Sequence, residues 1–112
     1  MSACHGCQEK TIIILHTNDT HSQIEPLEEG KRDEFCGGYA RRMGYIQQMR
    51  NEHPYLIVLD AGDFSQGTPY FNFYHGRIEV DAMNRMGYDA VTLGNHEFDY
   101  GVDTLAAVLK NA

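Results

Sequence analysis

Positive charge is in short supply: nine Lys and Arg stand against sixteen Asp and Glu, for a formal net charge of −7 with His neutral. Nucleic-acid polymers and anionic membranes are held by clustered Lys and Arg, so neither is an expected partner. Long apolar runs are missing as well. None approaches the roughly 20 residues of a membrane-spanning helix, and Ile12 to Leu15 reads as a strand rather than an anchor. The first ten residues hold no apolar h-region of a signal peptide. Met1-Ser2-Ala3-Cys4 has the small-residue-then-Cys form of a lipoprotein cleavage tail, without the apolar segment such a site follows. Cysteine is sparse and odd in number, at Cys4, Cys7 and Cys36, which implies no disulfide framework. Cys4-His5-Gly6-Cys7 has C-x-x-C spacing, but a zinc knuckle needs a second pair that Cys36 cannot complete. Haem attachment needs His where Gln8 stands. Residues 1–10 therefore read as a flexible N-terminal tail. Repeats, low-complexity tracts and interdomain linkers are absent too, so residues 11–112 read as one domain or one piece of a larger one.

What is present is ordinary for a globular chain, with 42% hydrophobic and 22% charged residues. A domain of this size buries only about two-thirds of the surface its unfolded chain exposes, so the core is adequate but not generous. Thr11 to Leu15, Tyr55 to Leu59 and Tyr88 to Leu93 are β-branched and apolar, as in strands covered on both faces. Residues 18–36 read as a long loop. Between the strands, a helix opens at Gly37-Gly38 and ends before Pro54, with Ala40, Met43, Ile46 and Met49 on one face. Pro69 to Tyr74 is a short aromatic segment expected mostly to pack a short helix onto the sheet. A helix carrying Ile78, Val80, Ala82, Met83 and Met86 ends at Gly87, and Val102 to Lys110 carries Leu105, Ala106 and Leu109. The order β-loop-α-β-α-β-loop-α predicts an α/β fold, a parallel three-stranded core with crossover helices.

In such sheets ligands collect outside the carboxyl ends of the strands. Three polar segments lie there: Asp19-Thr20-His21, Gly62-Asp63 and Gly94-Asn95-His96-Glu97. Asp19 and His21, one residue apart, can turn oxygen and nitrogen to the same ion. Asp63 follows a glycine that permits a tight turn, and its carboxylate can bridge two ions. Asn95 offers an amide oxygen, with His96 beside it. Carboxylate, imidazole and amide together suit Zn²⁺, Mn²⁺ or Fe. Singly, each segment has an ordinary reading as an Asx turn, a Gly-Asp turn or a helix cap. Their joint position after three buried strands favours a metal site. Bound metal would also supply the positive charge that an acidic chain needs toward phosphate. Arg41, Arg42 and Arg50 are expected on a solvated helix face.

The segments Ile14-Leu15-His16-Thr17-Asn18-Asp19-Thr20-His21-Ser22, Ala61-Gly62-Asp63 with Gln66-Gly67-Thr68, and Leu93-Gly94-Asn95-His96-Glu97-Phe98-Asp99 resemble the opening motifs of the calcineurin-like metallophosphoesterases. Within that superfamily they are most similar to the 5′-nucleotidase and 2′,3′-cyclic phosphodiesterase branch. The resemblance covers about residues 11 to 110. It implies the parallel β-α-β-α-β-α half of a four-layer αββα sandwich, residues 11–112 being the amino-terminal portion of the catalytic domain. It implies two divalent metal ions, with Asp19 and His21 on the first, Asp63 bridging and Asn95 on the second. His96 then stabilises the phosphoryl transition state or protonates the leaving oxygen, and Asp99 orients its ring. The implied reaction is hydrolysis of a phosphate ester, a 5′-nucleotide or related compound, by attack of a metal-bound hydroxide. The family's later Gly-His and Gly-His-x-His segments have no counterpart in these residues. His5, His16, His53 and His75 are not in matching contexts. The half-fold so implied leaves an uncovered apolar face and an open sheet edge, a route to self-association. A noncatalytic interaction module that keeps the half-fold and weak metal affinity is the alternative. The resemblance points to the periplasm or cell surface, but the sequence carries no signal that fixes the location.

Overall fold

A computed structural model of the chain describes residues 10–30, 35–110 and 112. Cys4, Cys7 and the rest of the expected tail up to Glu9 lie outside the described residues. The elements run β1 (Ile14–Thr17), α1 (Tyr39–Glu52), β2 (Ile57–Asp60), α2 (Pro69–Tyr74), α3 (Arg77–Met86), β3 (Ala90–Val91), a 3₁₀ turn (His96–Phe98) and α4 (Val102–Leu109). The strands form one parallel sheet in the order β1-β2-β3, as the alternation of elements predicts. Ile14 pairs with Ile57 and Thr17 with Asp60, while Asp60 also faces Val91.

Each strand differs in extent from its apolar run. β1 starts at Ile14 and continues through Thr17, because its partner carbonyls and amides run on to Ala61, whose N–H donates to Thr17 O at 2.8 Å. β3 is only two residues long, although Asp89 N to Val58 O and Thr92 N to Asp60 O extend its pairing at both ends.

One face of this sheet is covered. Tyr39 and Ile46 of α1, Leu56 and Val58 at β2, Phe64, then Val80, Met83 and Met86 of α3 and Val108 of α4 form a single buried cluster, with Ile13 and Leu15 packed against it. Complete burial of side chains such as Val58 and Phe64 contributes about 1.5–3 kcal/mol each. The opposite face is open among the described residues, with Ile12 at 70% and Ile14 at 53% exposure. The apolar runs alone suggest cover on both faces, whereas the half-fold implied by the family resemblance leaves one apolar face uncovered, and the exposure of Ile12 and Ile14 accords with the latter.

The expected helix faces hold at Met43, Ile46, Met49, Leu105 and Leu109, and differ at one position on each helix. On α1 the buried residue of the first turn is Tyr39, and Ala40 is exposed; on α4 Val108 is buried and Ala106 exposed. Pro69 starts α2, where a missing N–H costs nothing. Only Phe71 of that helix is buried, whereas Phe73 is 78% exposed, so most of its aromatic surface does not pack on the sheet. Arg50 does not lie on a solvated face either. Its guanidinium donates to Leu56 O, to Gly87 O and, at 3.1 Å, to the Asp89 carboxylate, tying α1 to the amino-terminal end of the sheet. No described helix is long and apolar enough to cross a membrane.

Candidate metal centre

At the carboxyl ends of the strands the chain must turn sharply three times. The Asp63 loop lies in the middle. Its carbonyls accept from the first loop as a short ladder: Asp19 N to Gly62 O at 3.0 Å, His21 N to Asp63 O at 3.1 Å and Ser22 N to Phe64 O at 2.8 Å. On its other side stands the loop after β3. A Cβ on Gly62 would lie 2.6 Å from Gly94 N, and one on Gly94 only 2.0 Å from Asp63 Oδ1. Two glycines therefore let these loops approach backbone to backbone.

That approach gathers ligand atoms. Asp19, His21 and Asp63 each offer one atom within 4.8 Å of the others. All three hold positive φ, at 50°, 42° and 52°, in the left-handed region that L residues rarely enter. Such strain costs on the order of 1–3 kcal/mol per residue and persists where surrounding contacts over-determine it. Here the over-determination is the ladder just described.

The side chains around the cluster orient it. His21 Nδ1 lies 3.3 Å from Gln66 Oε1, and its Nε2 is 3.8 Å from Asp19 Oδ1. Asn18 donates to Asp19 Oδ2 at 2.6 Å. His96 N–H donates to Asp63 Oδ1 at 3.1 Å, and the rings of His21 and His96 stand 5.3 Å apart, edge to face. Asn95 lies between Gly94 and His96, both of which meet Asp63, so it belongs to this corner; its side chain is exposed. His96 Nδ1 lies 2.9 Å from Asp99 Oδ2. That hydrogen bond raises the His96 pKa against the opposing effect of partial burial, and the charges of Asp99, Asp63 and Glu97 add to the rise. With Nδ1 on Asp99, Nε2 has no partner among the described residues.

The donor set of two carboxylates and an imidazole fits a hard or borderline divalent cation. The absence of a Cβ on Gly94 lets Asp63 Oδ1 lie against the backbone of the loop after β3. The structure thus brings Asp19, His21, Asp63, Asn95, His96 and Asp99 to one edge. Of the other histidines, His75 stacks on Tyr100 at 4.2 Å, His16 is exposed on β1, and His53 closes α1.

Four carboxylate roles escape motif reading. Glu97 is 5% exposed and accepts backbone N–H bonds from both neighbouring loops. Asp60 accepts from Thr17 Oγ1 at 2.6 Å and from Gly62 N at 2.8 Å, and because Thr17 gives its one proton to Asp60, Tyr88 donates to Thr17. Burial pushes the Asp60 pKa up, against the two hydrogen bonds. Glu79 of α3 is fully buried and accepts from Ser22 Oγ at 2.5 Å. Asp89 accepts from Val58 N at 2.7 Å. The signal for Glu79 is an acid at spacing four and seven from Met83 and Met86, on the helix's own apolar stripe.

The family described as calcineurin-like phosphoesterase matches residues 12–111. A snake venom 5′-nucleotidase from Gloydius brevicauda is 45% identical over 117 residues, covering 100% of this chain and 20% of its own. A Homo sapiens 5′-nucleotidase is 44% identical over 107 residues, covering 90% of this chain and 19% of its own. The solved structure of a 5′-nucleotidase precursor from Thermus thermophilus superimposes with a TM-score of 0.83 at 44% identity, over 90% of this chain and 20% of that one. The chain thus spans about a fifth of the length of these relatives. A match that begins before β1 and ends after α4, taking in every loop of the candidate centre, makes this chain a member of the calcineurin-like phosphoesterase family.

Proposed function

We propose that residues 11–112 are the amino-terminal portion of a metallophosphoesterase domain that hydrolyses a phosphate ester, of the 5′-nucleotide class that the relatives' names describe. The observation that carries this reading is the Asp19, His21 and Asp63 cluster, with its ligand atoms within 4.8 Å of one another. Asp19 and His21 would hold one divalent ion, Asp63 would bridge to a second, and Asn95 would complete this chain's share of that second ion. Bound divalent ions supply Lewis acidity toward a phosphoryl oxygen and the positive charge this edge lacks.

The chain's own residues do the rest. Asp99 takes up Nδ1 of His96 and fixes the ring, which leaves Nε2 without a hydrogen-bond partner among the described residues. A proton at Nε2 can then be given to the leaving oxygen or shared with the charge that grows on phosphorus. The Asp63 Oδ1 to His96 N bond couples the position of that ring to the bridging carboxylate.

Mn²⁺ titration of the chain, followed by electron paramagnetic resonance, tests the centre. Weak binding that falls further in Asp63→Ala is expected, and a chain that binds no Mn²⁺ at millimolar concentration sinks the reading. Residues 11–112 alone are expected to turn over a 5′-nucleotide weakly or not at all, so phosphate release is read in a chain that also carries the family's later His-bearing segments. Mn²⁺ held there without any turnover favours the noncatalytic module.

A further inference from the structure

Glu97 sits inside the motif block yet turns away from the ligand cluster. Its carboxylate is buried, and no Lys or Arg is hydrogen-bonded to it among the described residues. Three backbone donors converge on it instead: Gly94 N at 2.6 Å and Asp63 N at 3.0 Å on Oε2, and Ser65 N at 2.9 Å on Oε1. Two of those donors belong to the loop after β2 and one to the loop after β3. A carboxylate out of water is costly unless its oxygens are hydrogen-bonded, and bonds to an ionised acceptor are the strong ones.

We propose that Glu97 is the positioning residue of the metal loops, one carboxylate that locks the Asp63 loop to the Gly94-Asn95-His96 segment. The inference rests on the metal-centre reading above. Because Asp63 O and Gly62 O in turn accept from His21 and Asp19, the lock reaches the first loop as well. A second observation supports it independently. A methyl group on Gly62 or Gly94 would collide with the facing loop, so the two backbones lie close enough for a single side chain to span them.

The chemistry admits no neutral substitute. Every group aimed at Glu97 is a donor, so both oxygens must accept. Glutamine would turn an NH₂ toward an N–H, and aspartate is one methylene too short to reach both loops. Glu97 touches neither ligand atoms nor substrate; it acts through the backbone that carries them.

The test uses the full chain, with Mn²⁺ as the probe and amide hydrogen exchange by NMR as a metal-free readout. In the unsubstituted chain without metal, the Asp63, Ser65 and Gly94 amides are expected to be protected. Glu97→Gln should lose that protection and weaken Mn²⁺ binding about 10–100-fold, the usual effect of losing a residue that orients metal ligands. Met86→Ala, a core variant, should lower the melting temperature without that loss of affinity. Unprotected amides in the unsubstituted chain, or a folded Glu97→Gln that binds Mn²⁺ as tightly as the parent, overturn the proposal. Where Glu97→Gln does not melt cooperatively, the protection of the three amides in the parent decides. A parent chain that binds no Mn²⁺ overturns the metal-centre reading instead, and is recognised because the exchange measurement needs no metal.

Discussion

The two ends of the sheet use carboxylates in opposite ways. At the amino-terminal end Asp89 accepts from Val58 N and is paired with Arg50 at 3.1 Å, so the negative charge meets both a backbone dipole and a cation. At the carboxyl end Asp19, Asp60, Asp63 and Glu97 crowd together, and among the described residues no Lys or Arg side chain is hydrogen-bonded to any of them. One end is complete as it stands. The other carries negative charge and left-handed backbone that, apart from the field of Arg42 at Asp60, meet no hydrogen-bonded Lys or Arg among the described residues, which is the condition under which a cation stabilises a fold as well as serving chemistry.

The largest expected effect follows from that asymmetry. A ligand that binds only the folded chain stabilises it by about 2.7 kcal/mol at a hundred times its dissociation constant. Mn²⁺ at that level should therefore raise the urea midpoint substantially. Asp63→Ala should abolish the increment, and Arg50→Ala should leave it intact. An increment of equal size in Asp63→Ala would mean that the cation acts elsewhere, and the contrast between the two ends would fail.

A smaller effect belongs to the amino-terminal end. Arg50→Ala removes donors from Leu56 O, Gly87 O and Asp89 at once. Hydrogen bonds involving a charged group are worth about 1.5–3 kcal/mol when well shielded, and the guanidinium is 34% exposed. Screening reduces the expected loss to roughly 1–2 kcal/mol. Equilibrium unfolding in urea checks it, with Mn²⁺ affinity as the companion measurement. Affinity should be unchanged, because the substitution lies at the other end of the strands.

The same contrast explains what can be read without coordinates. Apolar runs, the element order and the three polar segments at strand ends are written in residue types, and they lead to a parallel sheet and one gathered edge. Glu97 and Asp60 are not legible in their roles because they bind backbone N–H groups, which every residue but proline possesses and no pattern marks. Arg50 departs from its expected solvated face for a related reason: its acceptors, Leu56 O and Gly87 O, are carbonyls brought to it by tertiary packing. The open face of β1 follows from the half-fold rather than from the apolar run, which records how a strand is composed and does not supply a covering layer for Ile12 and Ile14.

The finest distinction between the two ends is the sign of their pH dependence. Asp60 has its pKa raised above the ordinary 3.8, first by burial, with Glu97 adding and Thr17, Gly62 and Arg42 opposing. Its favourable contribution is complete below the unfolded value and is lost as pH rises through the folded one. Asp89 has its pKa lowered, first by the Val58 N–H and then by Arg50, against partial desolvation. Its contribution is present above 3.8 and is lost as pH falls through the lower folded value. Asp60→Asn should therefore compare more favourably with the parent at pH 7 than at pH 3, whereas Asp89→Asn should compare less favourably at pH 7. Unfolding midpoints of the three proteins at both pH values read the difference directly. If the two substitutions moved with pH in the same direction, the end that lacks a hydrogen-bonded cation would not differ electrostatically from the end that has one.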